Sequence, residues 1–166
     1  MRLAPGDEAE ITRLLARCFN TEFGGRSYFM QRHHLRLVAR DPHIVGHVGL
    51  AFRSVRQDER LIPVVGLGDV ATDPDRRGQG IASALLQAAI EEAAMSPADF
   101  MLLFGDAALY AGHGFRPASN PLRYVDLTDA RTGAVCEGPD ASLMVLPVRG
   151  ADWATTAPTD LLGNKF

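Results

Sequence analysis

Near the start of the chain, apolar residues recur every three or four positions: Ile11, Leu14, Leu15 and Cys18. This spacing predicts a helix that Asp7 caps and that ends near Asn20. Between Leu35 and Thr72 the pattern changes to three runs rich in β-branched residues: LRLVAR, IVGHVGLAFRSV and LIPVVGLGDVAT. Turn-forming residues separate these runs, so we expect three successive antiparallel strands. The intervening stretch TEFGGRSYFMQRHH predicts a surface loop with a short helix, which we interpret as a wall of the substrate site.

The second half of the chain alternates between helical and extended patterns. A broad apolar face predicts a helix that ends near Pro97: Ile81, Leu85, Leu86, Ala89 and Ile90. The continuous apolar run FMLLF, at residues 100–104, is typical of a strand that is buried on both faces. Asp106 is suited to cap the short helix that follows, and two more strands are predicted at 122–127 and 142–148. These elements predict a mixed α/β (α+β) fold.

The composition fits a single domain over residues 1–166. With 166 residues, of which 46% are hydrophobic, the chain is long enough to bury an ordinary core. The sequence contains no repeat, linker or low-complexity segment, and the tail at 149–166 shows little periodicity. We consider this tail a candidate lining of an acceptor site.

Charge and cysteine content exclude several classes of protein. The formal net charge is -3, and 17 basic and 20 acidic side chains are mixed along the sequence, which argues against nucleic acid or a membrane surface as a partner. No stretch approaches the roughly 20 apolar residues of a membrane span, and the N-terminus lacks the apolar core of a signal peptide. Cys18 and Cys136 lack the spacing of a zinc site. We expect a cytoplasmic protein that uses no metal.

A strand, a glycine turn and a helix start coincide at residues 70–82. The first turn of a helix leaves main-chain N–H groups unpaired and carries partial positive charge, which suits a pyrophosphate. Gly78 and Gly80 allow a ligand to approach the main chain closely. A P-loop is excluded because no Lys-Ser/Thr pair follows the glycines, and Ser83 stands where a dinucleotide fingerprint needs its third glycine.

The run Arg77-x-x-Gly80-x-Ala82 resembles the Arg/Gln-x-x-Gly-x-Gly/Ala signature of the Gcn5-related N-acetyltransferases, the GNAT superfamily. The resemblance implies a mostly antiparallel central sheet of about six to seven strands, splayed at the coenzyme A site and flanked by about four helices. It also implies acetyl-CoA as co-substrate, with pantetheine hydrogen-bonded to a bulged, splayed strand. The residues implicated in binding CoA are these: Val70, Ala71, Thr72, Arg77, Gly78, Gln79, Gly80, Ile81 and Ala82.

The resemblance also implicates catalytic residues. Tyr110, in the run Leu-Tyr-Ala-Gly-His-Gly-Phe, is similar to the family's tyrosine near the thioester sulfur, which implies a general acid for the CoA thiolate. A main-chain N–H near Val70 is implied as the donor that stabilises the oxyanion. Many relatives use a glutamate as general base, and Asp69 is the candidate here. His47 and His113 are alternatives, since imidazole titrates near neutrality, whereas the adjacent His33 and His34 lack metal-ligand spacing.

The tail carries a shorter resemblance, to nodulation acyltransferases and aminoglycoside 2′-N-acetyltransferases, which pass through an Asp-Trp pair after their last strand. It implies that Asp152, Trp153 and Asp160 line an acceptor pocket, against the simpler interpretation that the tail packs on the domain. We expect transfer of an acetyl group to a primary amine of a small molecule. A longer acyl chain, or a CoA-binding sensor without turnover, stays an alternative, and homodimer formation is open.

Overall fold

Two long antiparallel strands form the centre of the molecule, and the computed structural model describes residues 6–19 and 23–166. Strand β2 (Ile44–Gln57) and strand β3 (Arg60–Thr72) pair along almost their whole length. The two residues between them, Asp58 and Glu59, form a tight turn in which Asp58 has a φ of 49°. A two-residue turn fixes the register, so the pairing continues without a shift as far as Gly49 and Gly68.

Seven further strands extend this pair into one mixed sheet. Their bounds are β1 Leu35–Arg40, β4 Phe100–Phe104, β5 Arg116–Pro117, β6 Pro121–Val125, β7 Val135–Pro139, β8 Leu143–Pro147 and β9 Thr159–Asp160. The strand order is β5-β8-β4-β3-β2-β9-β6-β7, and β1 pairs with β2 beside β9. Only the pairs β3–β4 and β6–β9 are parallel; the other strand pairs of the described residues are antiparallel.

The helices are α1 (Asp7–Cys18), α2 (Ile81–Met95) and the single turn α3 (Ala107–Tyr110). α2 packs on one face of the sheet, where its buried side chains meet alternate residues of β2 and β3. Gly46 of β2 lies directly below the first turn of α2, since a Cβ atom there would come within 2.6 Å of Ile81. This close approach places the N-terminus of α2 at the end of β3.

Three segments cover the opposite face of the sheet. α1 packs there through Ile11, Leu14 and Leu15, together with Phe23 and Ala71. The loop at 23–34 lies beside α1, and Glu8 of α1 holds it through Ser27 and Arg32. Residues 164–166 lie further along the same face, where the ring of Phe166 rests on Gly66. The face between these segments is left partly open.

The hydrophobic pattern predicted the central elements well. The three antiparallel strands are confirmed as β1 to β3, and β4 has the predicted bounds. The Asp106 carboxylate accepts the Ala108 N–H at 2.9 Å, which confirms the expected cap. The mixed fold class is also confirmed, although the sheet has nine strands and the described ranges contain only three α-helices. The additional strands β5, β7 and β9 are short or exposed and carry little hydrophobic pattern.

Two local predictions are wrong. Gly6 occupies the cap position of α1, because Asp7 lies inside the helix, where its carboxylate pairs with Arg40. The helix ends at Cys18, and Asn20 lies outside the described residues. The loop contains no helix at residues 23–34, where the main chain forms bends held by side-chain contacts.

In the described part of the chain, no helix is long and apolar enough to cross a lipid bilayer.

Gly46→Ala tests the close packing of α2 on the sheet. The new Cβ would lie 2.6 Å from Ile81 Cγ2 and 2.8 Å from Leu85 Cδ1, so α2 has to shift. We expect a loss of about 1–3 kcal/mol in the free energy of unfolding, measured by denaturant titration. Gly112→Ala is the control, because a Cβ at Gly112 meets nothing within 4 Å. Equal stability of the two variants would contradict this packing.

Candidate active site

A cleft opens where β3 and β4 separate. The two strands pair from Val64 opposite Phe100 as far as Leu67 opposite Leu103, and then diverge. Beyond that point the main chain of β3 pairs only with β2. The cleft has a volume of about 420 Å³. It is lined by Val70, Thr72, Arg76, Arg77, Gly78, Gly80, Ile81, Ala82, Ser83 and Leu109.

The glycine turn forms one end of this cleft. Gly78 and Gly80 have φ values of 76° and 78°, which glycine adopts readily. Gly80 is the cap residue of α2 and offers no side-chain acceptor, so the first N–H groups of this helix stay available to a ligand. A Cβ atom at either glycine would meet nothing within 4 Å, so the space above the turn is open. These features suit a pyrophosphate.

The charges around the turn comprise ion pairs and one cation that has no carboxylate partner among the described residues. Arg17 bridges Asp73 and Asp75 at 2.6 and 2.8 Å, and Arg76 pairs with Asp41. The exposed Arg77 has no carboxylate within 4 Å among the described residues. Its guanidinium is therefore the one at this turn that remains available for an anion.

A bulge in β3 lies beside the cleft. Asp69 and Val70 together face the single residue Val48 of β2, and Asp69 has a φ of 50°. The Asp69 carbonyl accepts a hydrogen bond from His47 Nδ1 at 2.7 Å, and its carboxylate accepts the Phe29 N–H at 3.1 Å. A bulge re-aims side chains. Here Val70 lines the cleft and Asp69 lines a separate cavity on the sheet face.

This second cavity has a volume of about 250 Å³. Its walls are residues 29–34 and 164–166, together with Ala51, Arg53 and Asp69. Three glycines allow these walls to approach the sheet. A Cβ atom at Gly49 or Gly68 would lie 2.4 or 2.8 Å from the His33 ring. A Cβ atom at Gly66 would lie 1.7 Å from the Phe166 ring. The loop at 29–34 thus forms one wall of this cavity.

The electrostatics of Asp69 suit a proton acceptor. Burial raises the pKa of Asp69 to about 6, and this effect outweighs the Phe29 N–H and the positive charge of Arg36, which act in the opposite direction. Burial lowers the pKa of His47 to about 4 and that of His33 to about 3. Both rings are therefore neutral near pH 7. His33 Nδ1 lies 3.9 Å from the Asp69 carboxylate, beyond hydrogen-bond distance.

Tyr110 lies at the end of α3 and is buried; its neighbour Leu109 lines the cleft, whereas Tyr110 itself is not part of that lining. Its ring packs edge-on against Phe115, with centroids 6.0 Å apart, and is close to Gly105. Burial, with a smaller contribution from Asp106, raises the pKa of Tyr110 above its usual value. The hydroxyl is therefore protonated at neutral pH and can donate a proton.

Comparison with protein families identifies the chain. The model of the acetyltransferase (GNAT) domain matches residues 1–118, which is more than two thirds of the chain. The chain belongs to the GNAT acetyltransferase family. Comparison with curated protein sequences gives no significant match.

Solved GNAT structures share the fold of this domain. The N-acetyltransferase YhbS from Escherichia coli, in complex with CoA, has a TM-score of 0.67 and 23% identity over 95% of this chain and 86% of its own. A GNAT acetyltransferase from Brucella melitensis, in complex with acetyl-CoA, has a TM-score of 0.62 and 20% identity over 96% of this chain and 92% of its own. The ribosomal-protein-S18-alanine N-acetyltransferase from Escherichia coli has a TM-score of 0.59 and 22% identity over 93% of this chain and 96% of its own.

Most residues that the signature implicated lie together in this GNAT domain. All of them except Ala71 and Gln79 line the cleft. Ala71 is buried under α1, and the Gln79 side chain accepts a hydrogen bond from Arg76 at 3.1 Å.

His113, an alternative candidate for the base, forms a hydrogen bond with Ser83 at 2.9 Å and does not line the cavity beside Asp69. In residues 6–19 and 23–166, no three His, Cys, Asp or Glu side chains lie close enough together to hold a metal.

The tail residues singled out in the sequence lie elsewhere. Trp153 packs against Phe100, at the end of β4 far from the splay, and its Nε1–H donates to Asn120 Oδ1 at 2.8 Å. Asp152 lines a different surface depression beside Trp153, and Asp160 lies in β9. The structure thus does not bring them to Asp69. Three later residues of the tail, 164–166, reach the cavity instead.

Asp69→Asn tests the cost of burying this carboxylate. The folded-state pKa of about 6 exceeds the ordinary value of 3.8, so the folded protein binds a proton more tightly and loses stability as the pH rises from about 4 to 6. Asparagine has the same shape and tolerates a positive φ. We expect it to raise the free energy of unfolding at pH 7 by up to about 3 kcal/mol.

The measurement is denaturant unfolding of both proteins at pH 4 and pH 7. The gain should shrink to a small fraction at pH 4, where Asp69 is protonated in the folded state and about half protonated in the unfolded state. Asp58→Asn, at an exposed turn position that also has a positive φ of 49°, should change little at either pH. A gain of the same size at both values would show that ionisation is not its cause.

Proposed function

We propose that this GNAT domain transfers the acetyl group of acetyl-CoA to a primary amine of a small molecule. The observation that carries the proposal is that two adjacent residues of the bulge line two different cavities. Val70 lines the cleft between β3 and β4, and Asp69, the residue before it, lines the cavity on the sheet face. A thioester in the cleft and an amine in the cavity would meet at this point.

The cleft has the features that a bound CoA requires. The glycine turn, the first turn of α2 and Arg77 supply N–H groups and positive charge for the pyrophosphate. The free edge of β3 from Gly68 to Thr72 offers main-chain groups to the pantetheine amides. Two of the similar structures are complexes with CoA and acetyl-CoA, which supports the same ligand here.

Asp69 is the general base in this proposal. A primary amine arrives as an ammonium ion and has to lose a proton before it attacks. A carboxylate with a pKa of about 6 is ionised at neutral pH and accepts a proton more readily than an ordinary aspartate. His47 and Phe29 fix its main chain and its carboxylate, so the base is held in one orientation.

Tyr110 is the general acid. The amine attacks the thioester carbonyl, the C–N bond forms, and the oxyanion is stabilised by the main-chain N–H near Val70. The C–S bond then breaks and Tyr110 protonates the thiolate. Of the three ammonium protons, one passes through Asp69 to solvent, one replaces the proton lost by Tyr110, and one stays on the amide.

A small acceptor suits the shape of the second cavity. Its volume of about 250 Å³ is modest, and residues 29–34 and 164–166 close its sides. A peptide bound along an open groove would require these walls to move apart. The cavity therefore favours a small amine over a protein segment.

Tyr110→Phe separates an acetyltransferase from a CoA-binding sensor. The ring packing on Phe115 is retained and only the hydroxyl is lost, so the affinity for acetyl-CoA should not change. The rate of thiol release with an amine acceptor should fall about 10²- to 10⁴-fold, because the acid is absent. Calorimetric titration with acetyl-CoA and a thiol-release assay measure the two quantities on one preparation.

Tyr28→Phe serves as the control, since it removes a hydroxyl outside both cavities and keeps the ring that contacts Arg32. Full turnover in Tyr110→Phe would refute its role as acid. If the wild-type protein binds acetyl-CoA but releases no thiol with any amine, the sensor interpretation replaces the enzyme.

The pH profile tests Asp69 as the base. Protonated Asp69 cannot accept a proton, so kcat/KM should fall as the pH drops through about 6, the pKa of this carboxyl. Asp69→Asn should lower the rate about 10²- to 10⁴-fold and remove this ionisation from the residual activity. Asp58→Asn should retain the wild-type profile. A wild-type profile in Asp69→Asn would assign the base to another group.

A further inference from the structure

Arg53 is a partly buried cation without a carboxylate partner in the cavity beside Asp69. It lies on β2 and faces the same side of the sheet as Gly49 and Ala51, because every second residue of a strand points to the same face. Burial lowers the pKa of Arg53 only to about 10, so the guanidinium is charged at neutral pH. Among the described residues, none places a carboxylate within 4 Å of it. A buried charge normally has such a partner.

The groups that do contact Arg53 are neutral. Nη2 donates to the Asn164 carbonyl, Nη1 lies 3.4 Å from Asn164 Oδ1, and the guanidinium stacks on the Phe166 ring at 4.0 Å. Nε is buried and has no hydrogen-bond partner in the described structure. These contacts hold the guanidinium in place without neutralising it.

The other cations that line the cavity are already paired. Arg32 contacts Glu8 at 2.7 Å, and Lys165 contacts Asp140 at 2.5 Å. Among the described residues that line this cavity, Asp69 is the only one with an acidic side chain. Arg53 is therefore the cation that an incoming anion would meet without displacing an existing ion pair.

The two charges are separated along the sheet. Gly49 pairs with Gly68, which precedes Asp69, and Arg53 lies four residues further along β2, about 13 Å at the ordinary strand rise. The Arg53 side chain covers part of this distance, because it reaches the Phe166 ring above Gly66. Both residues line the same cavity of about 250 Å³, so one small molecule in this cavity can contact both.

We infer that the acceptor is an amino carboxylic acid, whose amine lies at Asp69 and whose carboxylate is bound by Arg53. A carboxylate matches the fork of N–H groups on a guanidinium. The inference rests on the proposed function and names the class of its acceptor. Arg53 is then a specificity-determining residue, and polyamines and aminoglycosides, which carry no carboxylate, are poor acceptors.

The experiment compares matched acceptors. Each α-amino acid, and each ω-amino acid from two to six carbons, is assayed by thiol release beside its own carboxamide. We expect the acid to exceed the amide in kcat/KM by about 10- to 100-fold for the best acceptor, because a charge-assisted bond is lost in the amide. This arm uses the wild-type protein and does not depend on the folding of a variant. Aminoalkyl phosphates, assayed in parallel, should not exceed the best carboxylate.

Arg53→Gln should abolish the preference for acid over amide, mainly through KM, while activity on the amide is retained. Arg53→Lys should keep part of the preference, since it keeps the charge but not the fork. Arg56→Gln is the matched control, because Arg56 is exposed on the same strand and lines a different cavity. An equal loss on acid and amide in Arg53→Gln, or equal rates of acid and amide in the wild type, would overturn the inference and leave the proposed function intact.

Binding distinguishes the two proposals if no amine is turned over. Calorimetric titration of the CoA-loaded protein with the same amino acids and carboxamides then measures the contribution of Arg53 to acceptor binding. Binding of an acid that its amide lacks, and that Arg53→Gln loses, would support the inference although the proposed function had failed. Absence of such binding would reject both.

Discussion

The bulge at Asp69 and Val70 is the constraint on which the site depends. A regular strand would alternate its side chains between the two faces and would keep β3 parallel to β4 beyond Leu67. The extra residue shifts this alternation by one position, so Asp69 faces the cavity together with Gly68, and Val70 faces the cleft. It occurs beside the splay of the two strands, which makes space for a ligand between them. Without it, a donor in the cleft and an acceptor on the sheet face would have no common point.

The bulge is held by contacts that come from distant parts of the chain. His47 on β2 bonds the Asp69 carbonyl, and the Phe29 N–H bonds its carboxylate. Phe29 is in turn positioned by Arg26, which donates to the Phe29 carbonyl at 3.2 Å. Glu8 ties the same loop to α1 and β1 through Arg32 and the buried Arg36. The loop thus supports Asp69 and also forms a wall of the cavity.

The sequence predicted the parts of this site that depend on local patterns. The strand, glycine turn and helix at 70–82 follow one another in the chain, so the local sequence was enough to predict that Arg77, Gly78 and Gly80 lie at one turn. Asp69 was a candidate only through its position before that segment. Arg53 and Phe166 could not be found, because they meet across more than 110 residues and neither lies in a motif. The one trace in the sequence is the glycine-rich run at 66–68, which leaves room for the Phe166 ring.

The distribution of unfavourable burial supports a functional interpretation of the cavity. Among the described residues, five nitrogen atoms near this region are buried without a hydrogen-bond partner: Arg26 Nε, His33 Nδ1, Arg36 Nη2, His47 Nε2 and Arg53 Nε. Asp69 adds a buried carboxylate with a raised pKa. Such groups lower stability, and a fold tolerates them where a ligand or a reaction uses them. An amino acid has one charge of each sign, so a single ligand can satisfy Asp69 and Arg53 together. An amine without a carboxylate would leave the guanidinium unpaired and would recover only part of this cost.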